Sequence, residues 1–349
     1  MSAIINTGVV GYGLSGKVFH TPFVHASPHF NLIAIVSTGH QAAQSFPYSK
    51  VYKAFEEVIA DADIDLVVLC TPHQLHAKYA MAALLAGKHV VVEKPVALSS
   101  AEVELLMKTA NETGKTIFPY HNRRWDGDFI TLKHIINEGF LGEVLDFESH
   151  FDRYQPKVSR AEWRYNQSEG GGTLFDLGPH LIDQALSLFG IPEAVFCQLH
   201  FQRPGSKAND GFDLRLIYPK LTATLKASVF VREPGPRFQV HGTLGSFIKY
   251  GLDTQEESLK SGITPYARNF GHEQKKMNGL LHSVAHDKSF RLRYPTFPGC
   301  YMDFYNDVFA SLSGKKLPEV KVEHAWMNIK IIETAIISHF EKRIINLTV

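Results

Sequence analysis

The sequence predicts an α/β fold in two parts: an N-terminal doubly wound parallel sheet of the Rossmann type, and a C-terminal α+β domain with a large, open, mostly antiparallel sheet. Up to residue 120, short apolar segments alternate with helical segments, which is typical of parallel βαβ units. From residue 122 this alternation is lost, and residues 222–231 alternate apolar and polar side chains as an antiparallel strand does. We therefore place the two domains at residues 1–121 and 122–349.

The N-terminal domain is predicted to contain five strands, each a short apolar segment. They cover residues 4–10, 31–36, 66–70, 90–93 and 116–119. Between them apolar residues recur at helical spacing, as at Ala80, Ala83 and Leu84, and Gly87 is a helix stop. This order of elements predicts a doubly wound sheet.

The C-terminal domain is predicted to mix strands with helices. Helices are expected at residues 128–137, 301–312 and 323–341, and strands at residues 144–151, 222–231, 238–241 and 247–250, the last two joined by a hairpin turn. Residues 251–299 show no sustained period, and we predict loops with short helices there.

The composition excludes several classes of function. The chain has 36 Lys and Arg against 35 Asp and Glu, with no recurring basic cluster, so no nucleic acid partner is expected. Cys70, Cys197 and Cys300 form no CxxC pair, so neither a zinc site nor a disulfide framework is predicted. Without a signal-peptide pattern or an apolar stretch of about 20 residues, we expect a cytoplasmic protein with no membrane partner.

A glycine-rich turn directly follows the first strand. Its residues are Gly11, Tyr12, Gly13, Leu14, Ser15 and Gly16. A helix after such a turn brings backbone N–H groups and a positive dipole end to a dinucleotide pyrophosphate. The alternative is an ordinary βα turn, because glycines at this spacing also arise by chance. The preceding strand favours a cofactor site, and we assign the three glycines, Leu14 and Ser15 to it.

The end of the second strand indicates which dinucleotide binds. NAD-binding chains place an acid there for the ribose 2′-hydroxyl, whereas NADP-binding chains place groups that hydrogen-bond the 2′-phosphate. Here Ser37 and Thr38 follow the strand, with His40 close by and no carboxylate. These residues favour NADP, with NAD as the alternative.

Thr71 and Pro72 follow the strand at residues 66–70, at the carboxyl edge of the predicted sheet. A dinucleotide lies along that edge, so we predict that Thr71, Pro72 and His76 line the cofactor. A metal site at His73 and His76 is the alternative. It is disfavoured because no cysteine or acidic cluster stands nearby in the sequence.

Glu93-Lys94-Pro95 ends a buried strand of valines. Pro95 biases Lys94 towards extended backbone, so that its side chain projects from the carboxyl end of the strand into the ligand crevice. An ammonium there can hydrogen-bond a substrate hydroxyl and stabilise the developing alkoxide. We predict that Lys94 is catalytic and that Glu93 and Lys94 also border the cofactor. The alternative for Lys94 is an exposed surface lysine.

A glycine turn at residues 170–172 leads into a helix that carries Asp176, His180 and Asp183. Spacings of four and three residues place these side chains on one helical face. The opposite face is apolar, and a polar stripe on such a helix is better explained by a site than by solvent contact. The alternative is that Asp176 caps the helix and Asp183 satisfies a buried His180.

Three further residues are predicted to border the cofactor. Asn122 follows the last N-terminal strand, and Trp163 and Arg164 precede the glycine turn. Each could meet the nicotinamide end or the substrate. The alternative is packing at a domain interface, above all for their neighbours Arg124 and Trp125.

With these motifs placed, the chain resembles the glucose-fructose oxidoreductase and inositol dehydrogenase (Gfo/Idh/MocA) family over essentially its whole length. The glycine loop, Glu93-Lys94-Pro95 and a GGxxxDxGxHxxD pattern at residues 171–183 follow the family's order. The resemblance implies that Lys94, Asp176 and His180 are catalytic and that Asp183 supports His180. It also implies a dinucleotide-binding N-terminal domain, and a C-terminal domain that binds substrate and forms a homodimer or homotetramer.

The expected reaction is reversible oxidation of a secondary alcohol on a cyclic, inositol-like polyol or a sugar, with NADP or NAD accepting the hydride. His180 is expected to take the hydroxyl proton, while Lys94 holds the reacting oxygen and Asp176 a neighbouring hydroxyl. Two alternatives use the same fold: a regulator that senses the nucleotide without turnover, and a glycosidase that uses tightly held NAD transiently. NADP-dependent inositol dehydrogenases of the family can carry an arginine where this chain has Gly39.

Overall fold

The computed structural model describes residues 4–157 and 170–348. The chain forms two compact units. The first comprises the described parts of residues 1–122, 255–270 and 300–327, and the second comprises those of residues 123–254, 271–299 and 328–349. The predicted domain limits at residues 121 and 122 stay a prediction.

The strands are numbered in chain order. They are β1 (Ile5–Val10), β2 (Phe30–Val36), β3 (Lys50–Tyr52), β4 (Leu66–Leu69), β5 (His89–Val92), β6 (Ile117–Pro119), β7 (Val144–His150), β8 (Ala194–His200), β9 (Gly211–Ile217), β10 (Thr222–Ser228), β11 (Phe238–Gly242), β12 (Gly245–Lys249), β13 (Gly279–Ala285), β14 (Lys288–Tyr294) and β15 (Ile345–Asn346).

The helices follow the same order. They are α1 (Thr21–Ala26), α2 (Gln41–Ser45), α3 (Phe55–Ala60), α4 (His76–Leu85), α5 (Ser100–Thr113), α6 (Gly127–Asn137), α7 (Thr173–Phe189), α8 (Gln255–Lys260), α9 (Met302–Leu312) and α10 (Val322–Glu341). Short 3-10 helices cover His73–Leu75, Asn122–Trp125 and Lys275–Met277, and Gly16–His20 is π-helical. Among the described helices, none combines the length and apolar character needed to cross a bilayer.

The first unit contains a six-stranded parallel sheet in the order β3-β2-β1-β4-β5-β6. Strand β4 is a fully buried run of leucine and valine, and Val90, Val91 and Val92 of β5 are fully buried as well, as expected when helices cover both faces of a parallel sheet. The chain runs outward from β1 to β3, and then from β4 to β6 in the other direction. The resulting crevice at the carboxyl ends of β1 and β4 is where a doubly wound fold binds its ligand. The predicted doubly wound parallel sheet is confirmed, but it has a sixth strand, β3, in addition to the five predicted from the sequence.

The core of this unit lies between the sheet and helices α4 and α5. Ala83 and Leu84 of α4 and Leu106 of α5 are buried in one cluster with Val67 and Val90 of the sheet. Full burial of a leucine side chain contributes about 1.5–3 kcal/mol. This packing holds the strands whose carboxyl ends carry the predicted site residues.

The second unit contains a nine-stranded sheet in the order β14-β13-β12-β11-β7-β10-β9-β8-β15. One pairing, between β10 and β7, is parallel, and the other pairings among the described strands are antiparallel. Helix α7 packs on β9 and β10. The predicted open, mostly antiparallel sheet is confirmed, with the refinement that residues 222–228 pair antiparallel on one side only.

The prediction for residues 251–299 was wrong in part, since two strands, β13 and β14, lie within this range. Strand β13 buries Gly279, Leu281 and Ser283 on one face, so its buried face is only partly apolar. Strand β14 lies at the edge of the sheet and exposes Arg291 and Arg293. Along β14, Phe290, Leu292 and Tyr294 alternate with polar residues, so the pattern typical of a strand was present in the sequence and was overlooked.

The core packing of α5 leads to a test with two adjacent leucines. Leu106→Ala should lower the free energy of unfolding by about 2–5 kcal/mol because it leaves a cavity beside the sheet. Leu105→Ala, in the same helix and 54% exposed, should change it by about 0.5 kcal/mol or less. Urea denaturation of both variants measures the difference, and equal losses would contradict the described packing.

Candidate functional site

The glycine loop follows β1 at the point where the strand order reverses. Gly11 has a φ of +100°, and an added Cβ would lie 2.7 Å from the carbonyl oxygen of Cys70. A Cβ at Gly16 would collide with the carbonyl oxygen of Gly11. At Gly13, by contrast, no described atom lies within 4 Å of an added Cβ. Two glycines therefore allow the loop to fold, while Gly13 leaves space for a ligand to approach the backbone.

A cavity of about 650 Å³ lies along this edge of the sheet. Five predicted cofactor residues are in its wall: Gly11, Gly13, Ser37, Thr38 and Thr71. The wall also contains Val10, Tyr12, Val36, Gly39, Gln41, Lys53, Ala54, Phe55, Glu56, Leu75 and Tyr79. Other predicted residues lie outside it, namely Leu14, Ser15, Gly16, Pro72, His76, Glu93, Lys94 and Asn122.

The end of β2 forms a tight turn at one side of the cavity. The Ser37 N–H donates to the Tyr52 carbonyl oxygen (3.0 Å), which joins the turn to the end of β3. The hydroxyl oxygen of Ser37 accepts from the Gly39 N–H (3.2 Å). Lys53 Nζ donates to the Ser37 carbonyl oxygen at 3.4 Å. The turn therefore combines hydroxyl groups with a lysine that the sequence analysis did not select.

His76 is buried and connects two loops that carry predicted site residues. Its Nδ1 lies 2.7 Å from the Pro95 carbonyl oxygen, and its Nε2 lies 2.8 Å from that of Thr71. Burial lowers the pKa of His76, while both carbonyl groups act in the opposite direction. The ring thus holds two loop backbones together. In the described part of the chain, no three His, Cys, Asp or Glu side chains are grouped to hold a metal ion.

Glu93 follows β5 and has a side chain only 12% exposed. Its Oε1 accepts from the Ser15 hydroxyl and lies 3.2 Å from His20 Nε2. Its Oε2 accepts from the backbone N–H of Lys94 at 3.0 Å. Burial raises the pKa of Glu93, but His20, Lys94 and Ser15 outweigh burial and lower it to about 2. The carboxylate therefore stays charged at neutral pH and joins the glycine loop to the segment that carries Lys94.

His20 is fully buried beneath this carboxylate and has a second partner. Its Nδ1 lies 2.7 Å from the hydroxyl of Tyr305, and its ring packs on Tyr120 with centroids 4.1 Å apart. Burial raises the pKa of Tyr305 well above its usual range, so the phenol stays protonated and donates to Nδ1. Nε2–H can then donate to Glu93. Neither His20 nor Tyr305 was predicted from the sequence to have a role in the site.

Lys94 lies directly after Glu93 at the carboxyl edge of the parallel sheet, and it is half-buried. The Lys94–Pro95 peptide bond is cis. The sequence therefore predicted its position in the fold, and its catalytic role stays a prediction.

In the second unit, α7 begins after Gly172, which has a φ of +99°. An added Cβ at Gly172 would lie 2.7 Å from Asn209 Nδ2. Asn209 accepts from the first two N–H groups of the helix: its carbonyl oxygen from Thr173 and its Oδ1 from Leu174, both at 2.8 Å. Asn209 thus caps α7 from outside the helix, and Asp176 is not needed for that role.

The three polar residues predicted on one face of α7 have different surroundings. Asp176 lies in the first turn, 31% exposed, and its carboxylate is 3.5 Å from Arg153 Nη2. His180 is 7% exposed, with the edge of its ring towards Phe151 at a centroid distance of 6.3 Å. Asp183 is buried. A partly exposed acid thus lies one turn before a buried imidazole, an arrangement that suits a hydroxyl-binding site.

Asp183 forms a bidentate ion pair with Arg124. Arg124 Nε donates to Asp183 Oδ2 at 2.8 Å, and Arg124 Nη2 donates to Asp183 Oδ1 at 2.7 Å. Both side chains are buried. A planar guanidinium and a carboxylate in this geometry form one of the stronger polar contacts in proteins. The pair fixes α7 one turn beyond His180. Support of His180 by Asp183 itself stays a prediction.

A second buried arginine, Arg237, lies beside this pair. Its Nη2 donates to Gln184 Oε1 at 2.7 Å, and Gln184 Nε2 donates to the Arg123 carbonyl oxygen at 2.8 Å. The Arg237 guanidinium also lies 4.0 Å from the centroid of the Phe151 ring. Arg237 and Gln184 were not predicted from the sequence; the position of Gln184 next to Asp183 was the available signal.

The remaining predicted cofactor residues fall in two places. Asn122 is buried at the start of a 3-10 helix, Asn122–Trp125. Trp163 and Arg164 lie outside the described residues, and their assignment stays a prediction.

Comparison with known proteins identifies the family. Residues 5–121 match the oxidoreductase family described by an NAD-binding Rossmann fold, and residues 133–347 match its C-terminal α/β domain. The chain belongs to the Gfo/Idh/MocA oxidoreductase family. The resemblance seen in its motifs is therefore confirmed, and the chain is an NAD(P)-dependent oxidoreductase.

Several members of the Gfo/Idh/MocA family are similar along nearly the whole chain. Scyllo-inositol 2-dehydrogenase (NADP(+)) IolW of Bacillus subtilis (strain 168) is 40% identical over 345 residues, which is 98% of this chain and 96% of its own. Uncharacterized oxidoreductase YdgJ of Escherichia coli (strain K12) is 38% identical over 337 residues, 96% of each chain. The solved structure of yvaA from Bacillus subtilis has a TM-score of 0.94 and 37% identity, and covers 100% of this chain and 99% of its own.

The buried carboxylate of Glu93 predicts a pH dependence of stability. Its folded-state pKa of about 2 lies below the ordinary glutamate value of 4.5, so its contribution is fully present above about pH 5 and is lost as the pH falls towards 2. The difference in free energy of unfolding between the wild type and Glu93→Gln should therefore shrink between pH 5 and pH 3. Urea titrations at pH 7, 5, 4 and 3 measure it, and a difference that grows on acidification would disprove the assignment.

The Arg124–Asp183 pair predicts a large loss of stability. Asp183→Asn keeps the shape but removes the charge that balances a buried guanidinium, which should cost about 3–5 kcal/mol. Glu112→Gln is the control, because it removes an exposed pair with Lys108 at 3.8 Å and should cost about 1 kcal/mol or less. Denaturant midpoints compare the two, and a neutral Asp183→Asn would refute this role.

Proposed function

We propose that this member of the Gfo/Idh/MocA family reversibly oxidises a secondary alcohol of a cyclic, inositol-like polyol or a sugar, with NADP as cofactor and NAD as the alternative. The observation that carries the proposal is the position of Lys94 at the carboxyl edge of the parallel sheet, its backbone held by Glu93. The 40% identity to a relative named as an NADP-dependent scyllo-inositol 2-dehydrogenase supports both the polyol class and the cofactor.

The residues of the first unit fit a dinucleotide. The open space at Gly13 suits a close approach of the backbone by a pyrophosphate, and the adjoining cavity of about 650 Å³ suits an adenosine. We assign Gly11, Gly13, Ser37, Thr38 and Thr71 to this half of the cofactor. When bound, oxidised nicotinamide supplies the hydride acceptor.

We assign the role of proton acceptor to a residue of the second unit. As the alcohol becomes a ketone, its O–H proton passes to His180, since the ordinary pKa of an imidazole suits a general base near neutral pH. The Lys94 ammonium holds the reacting oxygen and stabilises the negative charge that builds on it. Asp176 accepts a hydrogen bond from a neighbouring hydroxyl. Arg124, through Asp183, keeps the helix of His180 in position.

We further infer a homodimer or homotetramer in the cytoplasm, assembled on the open face of the nine-stranded sheet. That face carries partly exposed polar side chains, such as Glu148 of β7, Lys226 of β10 and Gln239 of β11. A broad β surface that one set of helices need not fully cover is available for pairing with another copy of the chain.

The proposal predicts the outcome of a kinetic assay. Wild-type protein should reduce NADP with scyllo-inositol, myo-inositol or glucose, and His180→Ala should lower kcat by about 10²–10⁴ because the base is lost. Lys94→Ala should also lose most activity, whereas Lys108→Ala, an exposed lysine, should keep it. Absorbance of reduced nicotinamide measures the rates.

Two results would contradict the proposal. One is near-native turnover by Lys94→Ala. The other is cofactor that stays bound without net reduction by any of these substrates, as expected for a nucleotide-sensing regulator or a glycosidase that recycles NAD.

A further inference from the structure

The preference for NADP requires a positive charge that the end of β2 does not carry. The turn after β2 has the hydroxyls of Ser37 and Thr38, and then Gly39. Hydroxyl groups can donate to a 2′-phosphate, but they do not balance its charge of nearly two. A cationic group within hydrogen-bond reach would supply most of the discrimination between NADP and NAD.

The parallel pairing of β2 and β3 brings a lysine to this turn. Val36 is paired with Tyr52, so the residues after each strand, Ser37 and Lys53, lie side by side at the carboxyl edge. The Ser37 N–H bonds to the Tyr52 carbonyl oxygen (3.0 Å), and Lys53 Nζ lies 3.4 Å from the Ser37 carbonyl oxygen. Among the described residues in the cavity wall, Lys53 is the one with a positively charged side chain.

The backbone of Lys53 is fixed, while its ammonium is lightly held. The Lys53 N–H donates to Glu57 Oε1 at 2.9 Å, which anchors the residue at the start of α3. The Nζ contact, at 3.4 Å to a neutral carbonyl, is long for a hydrogen bond. Lys50, three residues earlier, instead has its ammonium paired with Asp61 at 3.0 Å. An exposed Lys53 can therefore turn to an incoming phosphate at little cost.

We propose that Lys53 is the residue that makes this enzyme prefer NADP, by pairing its ammonium with the 2′-phosphate while Ser37 and Thr38 donate from the other side. The inference rests on the proposed function for the identity of the cofactor.

Glu56 is in the wall of the same cavity and acts against this preference. Its carboxylate repels a 2′-phosphate and can accept from the free 2′-hydroxyl of NAD. Lys53 therefore favours NADP and Glu56 favours NAD. Removing one charge or the other should change the relative affinity for NADPH and NADH in opposite directions.

Direct binding of NADPH and NADH to the full-length protein tests the inference without turnover. Lys53→Met keeps a long side chain and removes the charge, so the Kd of NADPH should rise about ten- to a hundredfold, as expected for loss of a charged hydrogen bond. The Kd of NADH should change by about twofold or less. Glu56→Gln should tighten NADPH relative to NADH, and Lys53→Arg should keep most of the preference.

Lys50→Met is the matched control, since it removes a lysine charge from β3, and Lys50 is not in the cavity wall. Unchanged NADH affinity and thermal midpoint show that Lys53→Met is folded. The inference is overturned if Lys53→Met weakens both cofactors equally or neither, if Lys50→Met has the same effect, or if the wild type does not prefer NADPH. Selective loss of NADPH binding without oxidation of any polyol would leave the inference standing and count against the proposed substrate class.

Discussion

A charged carboxylate at the end of a buried strand, Glu93, is the constraint on which the site of the first unit depends. Its carboxylate accepts hydrogen bonds from the Ser15 hydroxyl of the glycine loop and from the backbone N–H of Lys94, and it lies 3.2 Å from His20 Nε2. Burial alone would raise its pKa, yet these partners keep it charged. An unpaired charge in such a place is costly, so the partners are held in position. The Glu93 carboxylate therefore joins the glycine loop to the end of β5.

In the second unit the buried charges that need partners are the cations of two arginines. The guanidinium of Arg124 is buried and is balanced by both oxygens of Asp183. Arg237 donates to Gln184 and Ser149, packs on the ring of Phe151, and lies 3.8 Å from the buried carboxylate of Asp128. Asp183 and Gln184 lie on the part of α7 that follows His180. The last residue of the polar stripe, Asp183, thus fixes the helix, and its first two, Asp176 and His180, are the residues proposed to meet the substrate.

Features could be predicted from the sequence when their signal lies within one short segment of the chain. The parallel sheet and α7 were predictable because periodicity, flanking glycines and short spacing lie within one segment. The contact between His20 and Tyr305 was not, because 285 residues separate them. Lys53 was missed because it reaches the end of β2 through strand pairing. Strand β14 was missed although its signal is local, because Phe290, Leu292 and Tyr294 alternate with polar residues only within this short segment.

The central claim is that this chain transfers a hydride from a polyol carbon to a nicotinamide cofactor. The most direct measurement uses scyllo-inositol carrying deuterium on its ring carbons, incubated with the protein and oxidised NADP, with mass spectrometry of the nicotinamide. The account predicts one deuterium on each molecule of reduced cofactor formed. A reduced cofactor without deuterium would contradict it.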